Sequence, residues 1–308
     1  MNHLVDIVKA GTLAPLKDAK PPRAVMVSVI MVVYQTGPAL RESLGLVLAD
    51  PMVDEFMVVD NGSPPEDALH LRDLALSEPR LRLLQGHGNV GFAQGANLGA
   101  EASRGRALVF LNPDAYLQPG CISALILASE GQASPCIVGA RVLNSDGSEQ
   151  RGSRRGEVTP ISTFLSLSHL AQQVQSLAHF EIHRQDEPVP LTPIAVPTIS
   201  GACFFISRFD FQMMGGFDQA YFLHVEDIDL CWRARRQGGS VVFQPLANVI
   251  HLGSTSKTNP VLVEFWKGLG LARYFRKRAD NIWQWMTAVL MAPAIVCVAV
   301  VRPAFRRH

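Results

Sequence analysis

Apolar residues fall along this chain in short unbroken runs separated by polar, amphipathic stretches. Val25–Tyr34 is β-rich and almost wholly apolar. A run of that kind, with no polar alternation, suits a strand covered on both faces. Phe56–Asp60, Leu81–Gln85 and Ala107–Leu111 repeat the pattern, and Ala39–Leu48, Glu66–Leu76 and Phe92–Ala102 between them have helical character. The alternation predicts an α/β fold: a Rossmann-like, parallel sheet with right-handed crossovers and helices on both faces. Four such units occupy about the first 115 residues.

Ligands in such sheets bind beyond the carboxyl ends of the strands. Here those ends read Tyr34-Gln35-Thr36, Asp60-Asn61-Gly62-Ser63, Gly86-His87-Gly88-Asn89 and Asn112-Pro113-Asp114. Most strands end in polar loops, but a bare loop does not call for the acids found at two of these ends. Farther on, residues 144–197 lose the pattern. Arg151, Arg154 and Arg155 open that stretch, four prolines close it, and a helical piece is expected from Phe164 to Phe180. It reads either as an acceptor-side insertion or as an ordinary connection. Gly201–Ser207 looks like another strand, followed by a turn at Gly215-Gly216-Phe217-Asp218. Tyr221–Val225 then leads into Glu226-Asp227-Ile228-Asp229, where a helix is expected to start, ending near Gly238-Gly239. Val241–Gln244 reads as a short strand, and His251 follows the apolar Val249-Ile250.

At 308 residues the chain suits one large domain or a domain with an appendage, and 48% hydrophobic residues exclude a disordered chain. A net charge of +1 gives no global electrostatic case for nucleic acid as a partner. Five cysteines without a C-x-x-C pair predict small apolar fillers in a reducing compartment, not a disulfide or zinc framework. Residues 1–24 are broken by Lys9, Lys17, Asp18 and Lys20 and ended by Pro21-Pro22. They read as a tail before the first strand, not as a signal peptide, so a cytoplasmic location is expected.

Gly86-His-Gly88-Asn-Val-Gly91 matches a dinucleotide fingerprint and keeps an NAD(P)-dependent oxidoreductase open as a minor alternative. Against it, two strand–helix units precede the glycines, whereas the fingerprint normally follows the first strand. Asp114 and Asn112 offer hard oxygen ligands suited to Mg2+ or Mn2+. One carboxylate is enough for magnesium when substrate phosphates complete its shell. Glu226, Asp227 and Asp229 lie within four residues. Helix capping explains one or two of them, and Asp229 and Arg233 are spaced as an i, i+4 pair. That leaves Asp227 as a candidate general base. His251 is either structural or a further metal contact.

Taken together these residues resemble the family 2 glycosyltransferases, in particular the rhamnosyltransferase-like group of bacterial polysaccharide and O-antigen enzymes. The matching pieces are Val29–Tyr34, Val58–Ser63, Asn89–Gly99, Leu111–Asp114, Gly215–Asp218 with Phe222, Glu226–Arg233 and His251, in family order over about residues 25–255. The resemblance implies a GT-A fold and a nucleotide-sugar donor. Asp60 would meet the nucleobase with Tyr34 nearby, and Asn89, Gly91 and Asn97 would line the nucleotide site. Asn112 and Asp114 stand where the family's D-x-D metal motif lies, with Asn112 replacing the first acid. His251 would touch the metal or diphosphate, and Asp227, with Glu226 beside it, would serve catalysis by a single inverting displacement. The nearest subgroup implies dTDP-L-rhamnose as donor and a glycan or lipid-linked acceptor. A UDP-sugar donor and a non-catalytic nucleotide-binding relative are the alternatives.

Residues 256–308 read as a C-terminal helical appendage. Phe265-Trp266-Lys267 and Arg273–Arg278 mix aromatics with cations, which suits anionic lipid, and Ile282–Val301 is nearly apolar for 20 residues before Arg302, Arg306 and Arg307. Membrane attachment at the cytoplasmic face of the inner membrane is therefore expected. The oligomeric state stays open, a homo-oligomer included.

Overall fold

The structure, a computed structural model, describes residues 26–305 apart from 169, 254 and 257, with the backbone alone over 302–305. The tail read over residues 1–24 and the basic residues Arg306 and Arg307 lie outside the described residues.

The first half alternates as its pattern demands: β1 (Val27–Val33), α1 (Ala39–Ala49), β2 (Glu55–Asp60), α2 (Pro65–Ser77), β3 (Leu81–Leu84), α3 (Phe92–Ala102) and β4 (Ala107–Leu111). All four strands run parallel, with β1 between β2 and β4. Every residue of β1 is buried, which is why the run carries no polar alternation. Next come β5 (Ala115–Leu117), α4 (Cys121–Ser129), β6 (Cys136–Leu143), β7 (Arg154–Arg155), α5 (Pro160–Leu167), α6 (Leu170–Gln173), β8 (Ile194–Ala195), β9 (Thr198–Ile199) and β10 (Cys203–Ser207). The chain ends with α7 (Arg208–Met213), α8 (Glu226–Arg236), β11 (Ser240–His251), α9 (Pro260–Lys277) and α10 (Ile282–Phe305).

One mixed sheet of nine strands results, in the order β3-β2-β1-β4-β10-β6-β11-β5, with β8 on β11. The second half departs from the parallel reading: β10 inserts antiparallel between β4 and β6. A two-stranded ribbon, β7 with β9, holds Arg154 and Arg155 beside the sheet. Leu40, Leu44 and Val47 of α1 and Ile122 and Leu125 of α4 pack in a core on one face. Ala93 and Ala96 of α3, Phe211 of α7 and Leu230 of α8 pack on the other. Helix α3 lies close because its sheet-facing positions are small. A Cβ on Gly99 would sit 2.7 Å from Ile30 Cγ2.

Three local expectations need correction. The helix expected over Phe164–Phe180 starts earlier, at Pro160, and breaks into α5, the short α6 and a 3-10 turn over Gln175–Phe180. Its start is a capping box in which Thr159 and Ser162 satisfy each other's backbone N–H groups. The strand expected at Val241–Gln244 runs on to His251. Pro245 cannot donate to a ladder, so the register slips between Gln244 and Asn248 and pairing then resumes. Cys297 is exposed, unlike the other four cysteines, which are buried and free as read.

The C-terminal stretch divides in two. Helix α9 joins Tyr221, Val225 and Ile228 in a third apolar cluster through Leu271, Tyr274 and Phe275, with Val158, Leu167 and Ile182 of the middle segment. Helix α10 packs on α9 and α5 yet leaves most of its surface bare.

Candidate functional site

The polar strand ends converge along one edge of the sheet. Asp60 closes β2, and its Oδ1 accepts the N–H groups of Gly62 and Ser63 at 3.0 and 2.8 Å. Gly62 lies against the Tyr34 ring, where a Cβ would come within 3.5 Å. Asn89 Oδ1 accepts from Gly91 N, and Asn61 Nδ2 donates to Gly91 O. Gly91 itself has φ +82°, and a Cβ there would lie 2.5 Å from the Phe222 carbonyl oxygen. That carbonyl also accepts from Phe92 N, so the start of α3 is fastened to the Tyr221–Val225 loop. Gly91→Ala is therefore expected to destabilise the fold by about 2 kcal/mol, from backbone strain and the contact with Phe222. Thermal unfolding reads this, and an unchanged midpoint would mean the two loops part without cost.

Beyond β4, Asp114 is buried and faces His251. His251 Nε2 lies 3.1 Å from Asp114 Oδ1 and 3.3 Å from Asn112 Nδ2. Thr255 Oγ1 donates to Asp114 Oδ2 at 3.0 Å. Gln150 orients the ring. Its Nε2 donates to the His251 carbonyl, so its Oε1 is left to accept from His251 Nδ1 at 2.7 Å. In a neutral ring the proton then sits on Nδ1, and the Nε2 lone pair points at a carboxylate oxygen. Two acceptors at that distance need a positive charge between them, which a proton or a divalent cation supplies. Burial pushes the Asp114 carboxyl up, but the hydrogen bonds and charge of His251, with the Thr255 bond, outweigh it and hold it below the ordinary value. Among the described residues no group of three His, Cys, Asp or Glu side chains converges to hold a metal. The donor set of one carboxylate and one imidazole fits a magnesium or manganese ion whose shell is completed by substrate phosphates and water.

Glu226 and Asp227 open α8, as the acid cluster suggested. The cap is Val225, which makes no side-chain bond, and the Glu226 carboxyl meets its own backbone N–H. His224 and Val225 both have positive φ, +67° and +75°. For a β-branched residue this is costly, on the order of 1–3 kcal/mol, and such strain gathers where a loop must aim a side chain. Gly270 of α9 makes room for Val225, which a Cβ would meet at 3.0 Å. Asp227 Oδ2 accepts from Gly201 N at 3.1 Å and from Arg155 Nη2 at 3.2 Å, and Ile228 N donates to Oδ1. Burial and the Asp227 charge push the Glu226 carboxyl up to about 8. Asp229 is bound by Arg233 at 2.7 Å, as the i, i+4 spacing implied, and Lys277 also reaches it.

A cavity of about 370 Å³ joins the His251 and Asp227 ends, and Tyr34, Asp60, Asn89, Gly91 and Asp114 lie outside its lining. Asn112 and His251 line it together with Glu226, Asp227, Arg155, Thr163 and Lys267. Asn97 does not reach it. Both ends of that amide are spent on the Phe217 backbone, where they brace the Gly216–Phe217 turn. Sequence reasoning missed Gln150 and Thr255, and it noted Arg155 only as part of a basic cluster and Lys267 only as a lipid contact. No local pattern marks Gln150, Thr255 or Arg155, because each meets its partner across a large sequence separation.

A mixed sheet with this strand order and with helices on both faces is the frame of a GT-A glycosyltransferase. Two solved structures share it: GalNAc-T7 with UDP, GalNAc and Mn2+ (TM-score 0.58, 16% identity, 88% of this chain and 55% of that one), and a mannosyltransferase from Pyrobaculum calidifontis in complex with GDP-Man and Mn2+ (TM-score 0.56, 16% identity, 98% of this chain and 80% of that one). The family model described as glycosyl transferase family 2 matches residues 28–214, and the chain belongs to that family. It is 28% identical over 245 residues to the N-acetylglucosaminyl-diphospho-decaprenol L-rhamnosyltransferase of Mycobacterium tuberculosis, covering 72% of this chain and 75% of the relative. It is 27% identical over 229 residues to a low-salt glycan biosynthesis hexosyltransferase of Haloferax volcanii, covering 73% of this chain and 66% of the relative. Family membership ends the oxidoreductase reading. The glycines behind that reading leave β3, an edge strand, and Gly91 serves to approach Phe222.

Proposed function

We propose that this chain is an inverting, metal-dependent rhamnosyltransferase that moves L-rhamnose from dTDP-L-rhamnose onto a lipid-linked acceptor in cell-surface polysaccharide synthesis. The observation that carries the reading is the single cavity lined by both Asn112–His251 and Asp227. Donor phosphate and acceptor hydroxyl would meet there. Tyr34, Asp60, Asn89 and Gly91 would hold the nucleotide along the strand ends. Asp114 and His251 would hold Mg2+ or Mn2+, which when bound neutralises the departing diphosphate. Asp227 would accept the proton of the acceptor hydroxyl as it attacks the anomeric carbon from the face opposite the leaving group. Arg155 keeps that carboxylate oriented, and Oδ1, which accepts only from Ile228 N, retains a lone pair for the proton. The identity to the mycobacterial enzyme supports rhamnose as the sugar and a polyprenyl diphosphate as the carrier.

The test is incubation of purified protein with Mg2+ or Mn2+, a panel of nucleotide-sugars and membrane lipid extract. Release of dTDP with a rhamnosylated lipid is expected. Consumption of a UDP-sugar instead would overturn the donor, and nucleotide binding without turnover on any donor would favour a non-catalytic relative.

The same reading puts the chain on a membrane, at its cytoplasmic face. Ile282–Val301 has a mean hydropathy of 2.0 and is 17% buried, long and apolar enough to cross a bilayer by length and composition. Trp283 and Leu290 are 73% and 75% exposed. The cations expected to meet lipid are largely engaged within the protein: Arg273 and Lys277 on Asp218, Arg278 on Glu157 and the Val158 carbonyl. Attachment should therefore be apolar more than electrostatic. Flotation with vesicles is expected to persist at high salt and to weaken in Leu290→Asp. Loss of flotation by the unaltered chain at high salt would reverse that assignment.

A further inference from the structure

The cavity holds two polar atoms that the protein itself leaves unanswered. Thr163 Oγ1 on α5 and Glu226 Oε2 on α8 are both buried without a hydrogen-bond partner, on residues 2% and 7% exposed. Both residues line the cavity that also contains Asp227. A threonine inside a helix normally returns its hydroxyl to a carbonyl three or four residues back. Here the Thr159 carbonyl accepts the Thr163 N–H, and the Thr163 hydroxyl bonds nothing. Glu226 Oε2 is not diverted either: the carboxyl meets its own backbone N–H, Oε2 is left without a partner, and Arg155 binds Asp227 instead. Buried polar groups are nearly always paired, so two exceptions from distant parts of the chain in one cavity call for a polar ligand. The surrounding surface is mixed. Val158, Leu167, Ile182 and Leu271 are apolar, as the C–H faces of a sugar ring require, and Lys267 adds a cation to the wall. At about 370 Å³ the space is at the small end of ligand sites, sized for a sugar or two and not for a folded polymer.

We propose that Thr163 and Glu226 form the acceptor-sugar subsite, each binding a polar substituent of the sugar whose neighbouring hydroxyl Asp227 deprotonates. The class of ligand is a pyranose bearing hydroxyl or amide groups beside the attacked position. The assignment rests on the glycosyltransferase reading above, and it gives the middle segment a function: α5 is the acceptor wall. The high-lying Glu226 carboxyl supports it, because burial and Asp227 keep it protonated near neutral pH, able to donate as well as to accept.

Steady-state kinetics of the full chain test this, with dTDP-L-rhamnose and N-acetylglucosaminyl-diphospho-polyprenol as probe acceptor. Thr163→Val and Glu226→Met are each expected to raise the acceptor KM about tenfold, the loss of roughly one hydrogen bond, with the donor KM unchanged. Thr163→Ser, which keeps the hydroxyl, restores it. Calorimetric binding of dTDP with Mn2+ identifies any variant that has failed to fold, and Thr163→Ser then still reports through its own acceptor KM. Transfer by the unaltered chain with acceptor KM unmoved in the variants, or with donor KM moved equally, overturns the subsite and leaves the glycosyltransferase reading standing. No transfer to this probe by the unaltered chain overturns the proposed rhamnosyltransferase, and the subsite with it.

Discussion

Asp227→Asn is expected to lower sugar transfer about a thousandfold, within the range by which general base catalysis accelerates reactions, while donor binding stays within about twofold. The amide is nearly isosteric with the carboxylate. Its oxygen can still accept from Gly201 N or Ile228 N, as the carboxylate oxygens do at 3.1 and 2.9 Å. What disappears is the lone pair basic enough to take a proton. Glu226 cannot substitute, because its carboxyl is pushed up to about 8 chiefly by burial and then by the Asp227 charge itself. Removing that charge leaves burial still opposing ionisation. Arg155 loses its partner, so a modest fall in stability should accompany the loss of activity. Nucleoside diphosphate release measures the rate, and calorimetry with dTDP and Mn2+ measures binding. A variant that retains a tenth of the activity would sink Asp227 as the base.

The second large effect is expected at the other end of the cavity. Chelation with EDTA should stop transfer, and added Mg2+ or Mn2+ should restore it. Asp114→Ala should cost about a hundredfold or more in kcat/KM, and excess metal should recover only part of it. The reason is the thinness of the donor set. With Asn112 in place of an acid, Asp114 is the carboxylate that faces His251, and among the described residues no third acid, His or Cys converges there. Gln150→Leu should cost less, about tenfold, since it leaves both metal-facing side chains in place and removes the amide that holds the His251 proton on Nδ1 and bonds the His251 carbonyl. Full activity of the unaltered chain in EDTA would refute metal dependence and leave Asp114–His251 as an ion pair.

Much of this was legible in the chain because it is local. The parallel half of the sheet follows from runs such as Val29–Val33, whose burial on both faces leaves no room for polar alternation. Asp114 could be singled out because it follows an apolar strand, where ligands gather, and Asp227 because it belongs to the cluster of three acids at a helix start. The i, i+4 spacing of Asp229 and Arg233 pointed to the ion pair that the structure contains. Asn97 went the other way. Its place in a motif-like run marked it for the nucleotide, yet its amide matches the Phe217 backbone, 120 positions away.

The sequence by itself determined the α/β frame and the positions of the two acidic ends, because periodicity and spacing act over a few residues at a time, while the family was visible only through the resemblance of its motifs. Tertiary structure alone decided how those ends are used. It set β10 antiparallel between β4 and β6 and carried β11 through its slip at Pro245 so that His251 meets Asp114. It brought Arg155 to Asp227, Gln150 to His251, and α5 and α9 to the cavity wall. These pairings depend on side-chain burial and hydrogen-bond satisfaction between segments far apart in the chain, and neither is written in any local pattern.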